Sequence, residues 1–205
     1  MMYIYREDAE RLLRDAKSGL LDGLDSRFDL LKKLLREDDW SFVIKSHALI
    51  ESVVTESIVN RVDESSLQSV VRRIPLSDSQ YGKLTIAKEL NLLTQGQRSF
   101  IRFLSQLRNE LVHKVENIEF EFIPYIEAMN KSQRKTWRSA ITWFEPESSY
   151  WLSASVEQPK IAVWMSVFLI ATLSFVEDSE RHGKRELDRL AQQTSEDLLR
   201  QPNSE

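Results

Sequence analysis

Residues 97–115 read QRSFIRFLSQLRNELVHKV, with apolar side chains returning every three or four positions. At about 100° per residue, and with Phe100 set at zero, Leu104, Leu107 and Leu111 fall within about 40° and Phe103 within about 60°. That stripe is the core side of an amphipathic helix, predicted over residues 97–113. Asn109 and His113, four apart, share the opposite face. Arg108 falls on the border beside Ile101 and Val112, a second and narrower apolar edge. Such a helix suits a bundle in which it packs on its own core and also meets a second subunit.

Working outward, the same spacing predicts helices through most of the chain. A helix over 80–93 precedes the first one, with Thr94-Gln95-Gly96 between them and Gly96 placed as the left-handed residue of a tight turn. Residues 63–79 are polar, with a short helix over 66–73 and a capping region at Ser77 to Ser79. A long helix over 42–62 starts behind Asp38-Asp39, with Phe42, Ile44, Leu49, Ile50, Val53, Val54 and Ile58 as its apolar faces. The N-terminal region reads as two helices, one over 9–21 ended by Gly19 and Gly23, the next capped by Asp25 or Ser26.

Beyond the quoted stretch, 116–122 (ENIEFEF) alternates like a strand but reads better as a connector ended by Pro124. A helix over 125–144 is broken by Pro146-Glu147-Ser148-Ser149, an apolar helix covers 157–176, and a weakly amphipathic one covers 184–199. The fold expected is an all-α bundle: an N-terminal helical extension over 1–39, a bundle over 40–180, and a C-terminal helix with a frayed tail over 181–205.

Composition agrees. The chain has 205 residues, five Gly and five Pro, which favours long helices over a turn-rich β protein. A net charge of −4 gives no global reason for a nucleic-acid partner, so any such site is a local patch. The absence of cysteine excludes disulfides, thiolate metal sites and a cysteine nucleophile. No Gly-rich phosphate loop, H-E-x-x-H or G-x-S-x-G occurs, and three scattered histidines argue against zinc, so no cofactor is expected. The N-terminus becomes charged at Arg6-Glu7-Asp8 before an apolar run can form, which points to the cytoplasm rather than to secretion. Residues 161–176 (IAVWMSVFLIATLSFV) carry no charge, yet at about 1.5 Å per residue they span roughly 24 Å, short of the ~30 Å hydrocarbon core. They read as a buried or oligomer-facing helix, with no membrane partner.

The chemistry sits in Arg108-Asn109-Glu110-Leu111-Val112-His113. Imidazole titrates near neutrality and can take a proton from a ribose 2′-OH or give one to a leaving 5′-oxygen. Guanidinium forks onto two phosphate oxygens and stabilises charge that builds on phosphorus. The Asn109 amide can orient the imidazole or hold a phosphate oxygen. One histidine does not serve as base and acid in the same turnover, so two copies of this helix facing each other would complete the set. The alternative is a solvated helix face with no chemistry.

With R-N-x-x-x-H on a later helix of a small α bundle, the chain resembles the HEPN superfamily, whose signature is Arg, commonly a polar residue next, and His four to six positions on. His47-Ala48-Leu49-Ile50-Glu51-Ser52-Val53-Val54 on the earlier helix supplies the acidic residue often found there. Residues 42–60 and 80–115 are also similar to the mannitol operon repressor family. The resemblance covers about residues 40–125 and the apolar helix at 160–177, and leaves 1–39 unexplained. It implies a metal-independent endoribonuclease, a toxin or antiphage effector acting as a homodimer, leaving a 2′,3′-cyclic phosphate and a 5′-hydroxyl. An antitoxin or other partner protein goes with such effectors. Arg108, Asn109 and His113 would be catalytic, with Glu51 orienting Arg108 through a salt bridge and His47 in a capping or packing role. The competing expectation is a non-catalytic HEPN-like module, a repressor or an accessory subunit.

A second feature is the run from Lys131 to Arg138, in which Lys131, Arg134, Lys135 and Arg138 surround Trp137. It reads either as an RNA-backbone patch with a base stacked on the indole, or as a solvated face with Trp137 turned inward. The second reading is favoured.

Overall fold

A computed structural model describes residues 4–62, 64–78 and 80–200, apart from the side chains of residues 65 and 200. Among the described residues it is all-α: nine α-helices, one 3-10 turn and no strand. The helices are α1 (Arg6–Leu35), α2 (Asp39–Val59), α3 (Ser65–Arg73), α4 (Lys83–Glu89), α5 (Gln95–Val112), α6 (Phe122–Glu127), α7 (Lys131–Ile141), α8 (Ser149–Glu157) and α9 (Pro159–Arg200), with the 3-10 turn at Val115–Glu119.

The chain forms two compact units. One is Arg27–Ser174, and the other takes the described residues up to Ser26 together with those from Phe175 onward. In the second unit the expected break at Gly19 and Gly23 does not occur, because α1 runs through both as a single 30-residue helix. A helical glycine costs only about 1 kcal/mol against alanine, too little to end a helix that packs elsewhere. A Cβ on Gly23 would lie 2.3 Å from the Phe175 ring, so this glycine admits a close neighbour. The break expected between 176 and 184 is also absent, and α9 is continuous over 42 residues. By length and composition α9 is the one described helix able to cross a membrane.

The core of the Arg27–Ser174 unit is built on α2 and α5, which pack on each other and between their neighbours. Asp38 caps α2 by accepting from the Ser41 amide at 2.8 Å, and hydrogen bonds from the Ser41 side chain and backbone hold its carboxyl below the usual range. Phe42, Val43, Ile50 and Ile58 of α2 are fully buried, as are Phe100, Ile101, Leu104 and Leu107 of α5. Each such side chain contributes roughly 1.5–3 kcal/mol relative to exposure. From α9, Ala162, Val163, Val167 and Ile170 enter the same core, and the Trp164 indole donates to the Leu31 carbonyl at 2.8 Å.

Three local readings are corrected. Gly96 is not a left-handed closing residue: no described glycine has positive φ, and it lies in the first turn of α5, where a Cβ would come within 2.9 Å of Trp143. The left-handed residue is Asn91 (φ 54°), two positions after Glu89 closes α4, and Thr94 starts α5 through a capping box with Gln97. The expected helix over 80–93 is therefore shorter, starting only at Lys83, with the Asp78 carboxylate accepting from the amides of Gln80 and Tyr81 ahead of it; Ser79 of the expected cap lies outside the described residues. The helix expected over 125–144 is split, because Asn130 and Gln133 form a second capping box that begins α7 afresh.

Candidate functional site

The α5 stripe is as the spacing predicted. Phe100, Leu104, Leu107 and Leu111 are buried, while Asn109 and His113 are exposed. Ile101, assigned to a second apolar edge, is instead fully buried within this chain; only Val112 of that edge remains outside. The helix ends at Val112 and His113 is its C-cap, so the imidazole stands on the last turn at the surface. That end is held by two side chains from elsewhere: Asn117 Nδ2 donates to the Glu110 carbonyl at 2.7 Å, and the Trp40 indole to the Leu111 carbonyl at 3.4 Å. Both carbonyls belong to the turn that lacks helical partners. Tyr125 adds a third tie, through a hydrogen bond to Glu110. Burial first, then the neighbouring Glu110 carboxylate, raises its phenol from 10.0 to about 12. The turn that precedes His113 is thus tied down at Glu110 and Leu111 while the His113 ring is open to solvent.

Arg108 is half-buried, and its Nη1 donates to Asn109 Oδ1 at 3.0 Å. This bond ties the guanidinium to a side chain that shares a face with His113. It also uses the Asn109 carbonyl, leaving the amide NH₂ as the group Asn109 can offer a phosphate oxygen.

Behind Arg108 lies a polar cluster between α2, α4 and α5. His47 Nε2 is 3.2 Å from Ser105 Oγ, whose own proton goes to the Ile101 carbonyl at 2.8 Å. The serine oxygen therefore accepts from the imidazole, which fixes the Nε2–H tautomer of His47. Burial pushes the His47 pKa below its ordinary 6.5, Glu51 opposes that, and Arg108 adds to it. The ring is kept neutral and joins two core helices.

Glu51 does not take the expected salt bridge to Arg108. Its carboxylate meets the ammonium of Lys83 at 3.3 Å, and Lys83 is 3% exposed. A buried ammonium needs a charged partner, and Glu51 supplies it. Neither Lys83 nor Ser105 stood out in the sequence. Lys83 follows a glycine in a polar segment and looks like any surface lysine until α2 closes over it.

The basic run is divided by the fold. Trp137 is fully buried, with its indole donating to the Ser155 carbonyl at 2.6 Å and its ring edge-on to Phe103 at 5.2 Å, so no base can stack on it. Arg134 donates to the carbonyls of Met129 and Glu127, which closes the end of α6. Lys131, Lys135 and Arg138 remain exposed. Among the described residues no three His, Cys, Asp or Glu side chains gather in a metal-binding group. Comparison with known family models, with curated proteins and with solved structures finds no match.

Proposed function

We propose that this chain is a HEPN-type, metal-independent endoribonuclease that acts as a homodimer in the manner of a toxin or antiphage effector. The observation that supports it best is the end of α5: an exposed imidazole on an anchored last turn, with an arginine tethered by Asn109 on the same helix. In this reading one His113 accepts the proton of the ribose 2′-OH as that oxygen attacks phosphorus. The second His113, from the other protomer, donates a proton to the departing 5′-oxygen. The products are a 2′,3′-cyclic phosphate and a 5′-hydroxyl, with no water consumed in the cut. Arg108 neutralises charge on the non-bridging oxygens, with Asn109 holding it in place and offering its own NH₂. His47 ties α2 to α5 through Ser105, and Glu51 ties α2 to α4 through Lys83, which holds the helix that carries these groups.

The test is a mixed RNA pool treated with the protein in EDTA and mapped by fragment ends. Cleavage leaving cyclic-phosphate and 5′-hydroxyl ends, with a matched DNA pool untouched, is the expected result, because DNA lacks the attacking 2′-OH. Ends bearing a 5′-phosphate would rule this mechanism out.

A second reading, a non-catalytic regulatory or accessory module, draws on exposed apolar side chains on the helices of the other unit. Leu13 and Leu21 of α1 and Leu187 and Leu199 of α9 are all open to solvent. Under it, a stable partner complex forms and no RNA is cut.

A further inference from the structure

Between α5 and α7 runs a groove of about 440 Å³. Ser99, Arg102 and Gln106 line it from α5, Lys135 and Ser139 from α7, and Phe103 gives it an apolar surface. Its lining contains two cations and no carboxylate. Arg102 and Lys135 are exposed, and among the described residues neither has an ion-pair partner. In a protein of net charge −4, two cations lining one groove with no carboxylate beside them form a local positive field.

The groove is aligned with the candidate catalytic end. Ser99, Arg102, Gln106, Asn109 and His113 follow at steps of three, four, three and four, a single straight row on one helix, and all five are exposed. From Arg102 to His113 the row extends about 16 Å at 1.5 Å per residue. That length accommodates at most about five phosphates at the stacked single-strand spacing of ~3.4 Å.

We propose that this groove holds the single-stranded RNA next to the bond that is cut, with Arg102 and Lys135 on successive phosphates and Gln106, Ser99 and Ser139 bonding sugar or phosphate oxygens. The proposal rests on the ribonuclease reading and adds the path of its substrate. Lys135 is then the member of the basic run that meets RNA, and it does so with an arginine from α5 rather than with its own neighbours. A single strand is the form that fits, since backbone contacts along one groove track one strand, and sequence is not read there.

The experiment separates binding from cleavage by working in His113→Ala protein with a short fluorescein-labelled single-stranded RNA in EDTA. Affinity is measured across a salt series for this parent and for versions that add R102Q with K135Q, or R14Q with K17Q as a control of equal charge on α1. The groove pair is expected to weaken binding by about tenfold and to lower the slope of log K against log salt by about 1.4, two contacts at roughly 0.7 each. The control pair is expected to change neither. An unchanged slope in the groove pair, an equal loss in the control, or no binding by the parent would each overturn the proposal. Cleavage by the wild-type chain is scored apart: groove-dependent binding without cleavage would retain the RNA path and discard the ribonuclease reading.

Discussion

Of the two histidines near Arg108, only His113 has an open ring. His47 is half-buried, bonded to Ser105, and has its pKa pressed below 6.5 by burial. As pH falls, the unfolded chain binds a proton at this position before the folded one does. The stability His47 contributes is therefore present above about 6.5 and is lost as pH falls from there through the lowered folded value. Urea unfolding across that window should show wild type losing more stability toward acid than His47→Gln, whose amide can still donate to Ser105. Parallel curves would mean that the ring is not held neutral by the fold. Burial decides the roles here: a group that must exchange protons with a substrate has to be reached, and His47 is committed to joining α2 and α5. The sequence shows two histidines on two helices, and burial separates them only once α4 and α5 are packed.

At the scale of elements, α7 buries Trp137, Ala140 and Ile141 and leaves its cations Lys131, Lys135 and Arg138 outside. Trp137→Ala removes a fully buried indole with its hydrogen bond and three aromatic neighbours, and should destabilise the fold by about 3–5 kcal/mol in chemical denaturation. Lys135→Gln, two residues earlier and exposed, should stay within about 0.5 kcal/mol of wild type. A small loss in the first or a large loss in the second would contradict the packing described. Apolar periodicity made α5 and the buried side of α7 legible, since each is amphipathic with a single dominant face, and α2 was legible as a helix apolar on several faces. Helix ends were less legible. Asn130 and Thr94 begin helices through capping boxes whose pattern is visible once noticed, yet Gly19, Gly23 and Gly96 are stronger signals to the eye and none of them ends a helix. The backbone turns instead at Asn91, where a side chain able to tolerate the left-handed region replaces glycine.

For the molecule as a whole, the candidate site is mostly a local matter: Arg108, Asn109 and His113 fall at one helix end because they lie within six consecutive residues. That part was legible in the sequence. Lys83, Ser105 and the pairing of Glu51 required three helices to come together, and the groove required α7 to lie against α5, so neither could be read from spacing alone. One chain presents a single exposed imidazole at this end, which is why the proposed reaction takes a second copy. The most direct test of the central claim incubates RNA in EDTA with wild type, His113→Ala and His47→Ala, each first verified as folded by circular dichroism. The account predicts cleavage by wild type, none by His113→Ala, and retained though slower cleavage by His47→Ala. Full activity in His113→Ala, or no cleavage by folded wild type, would contradict it.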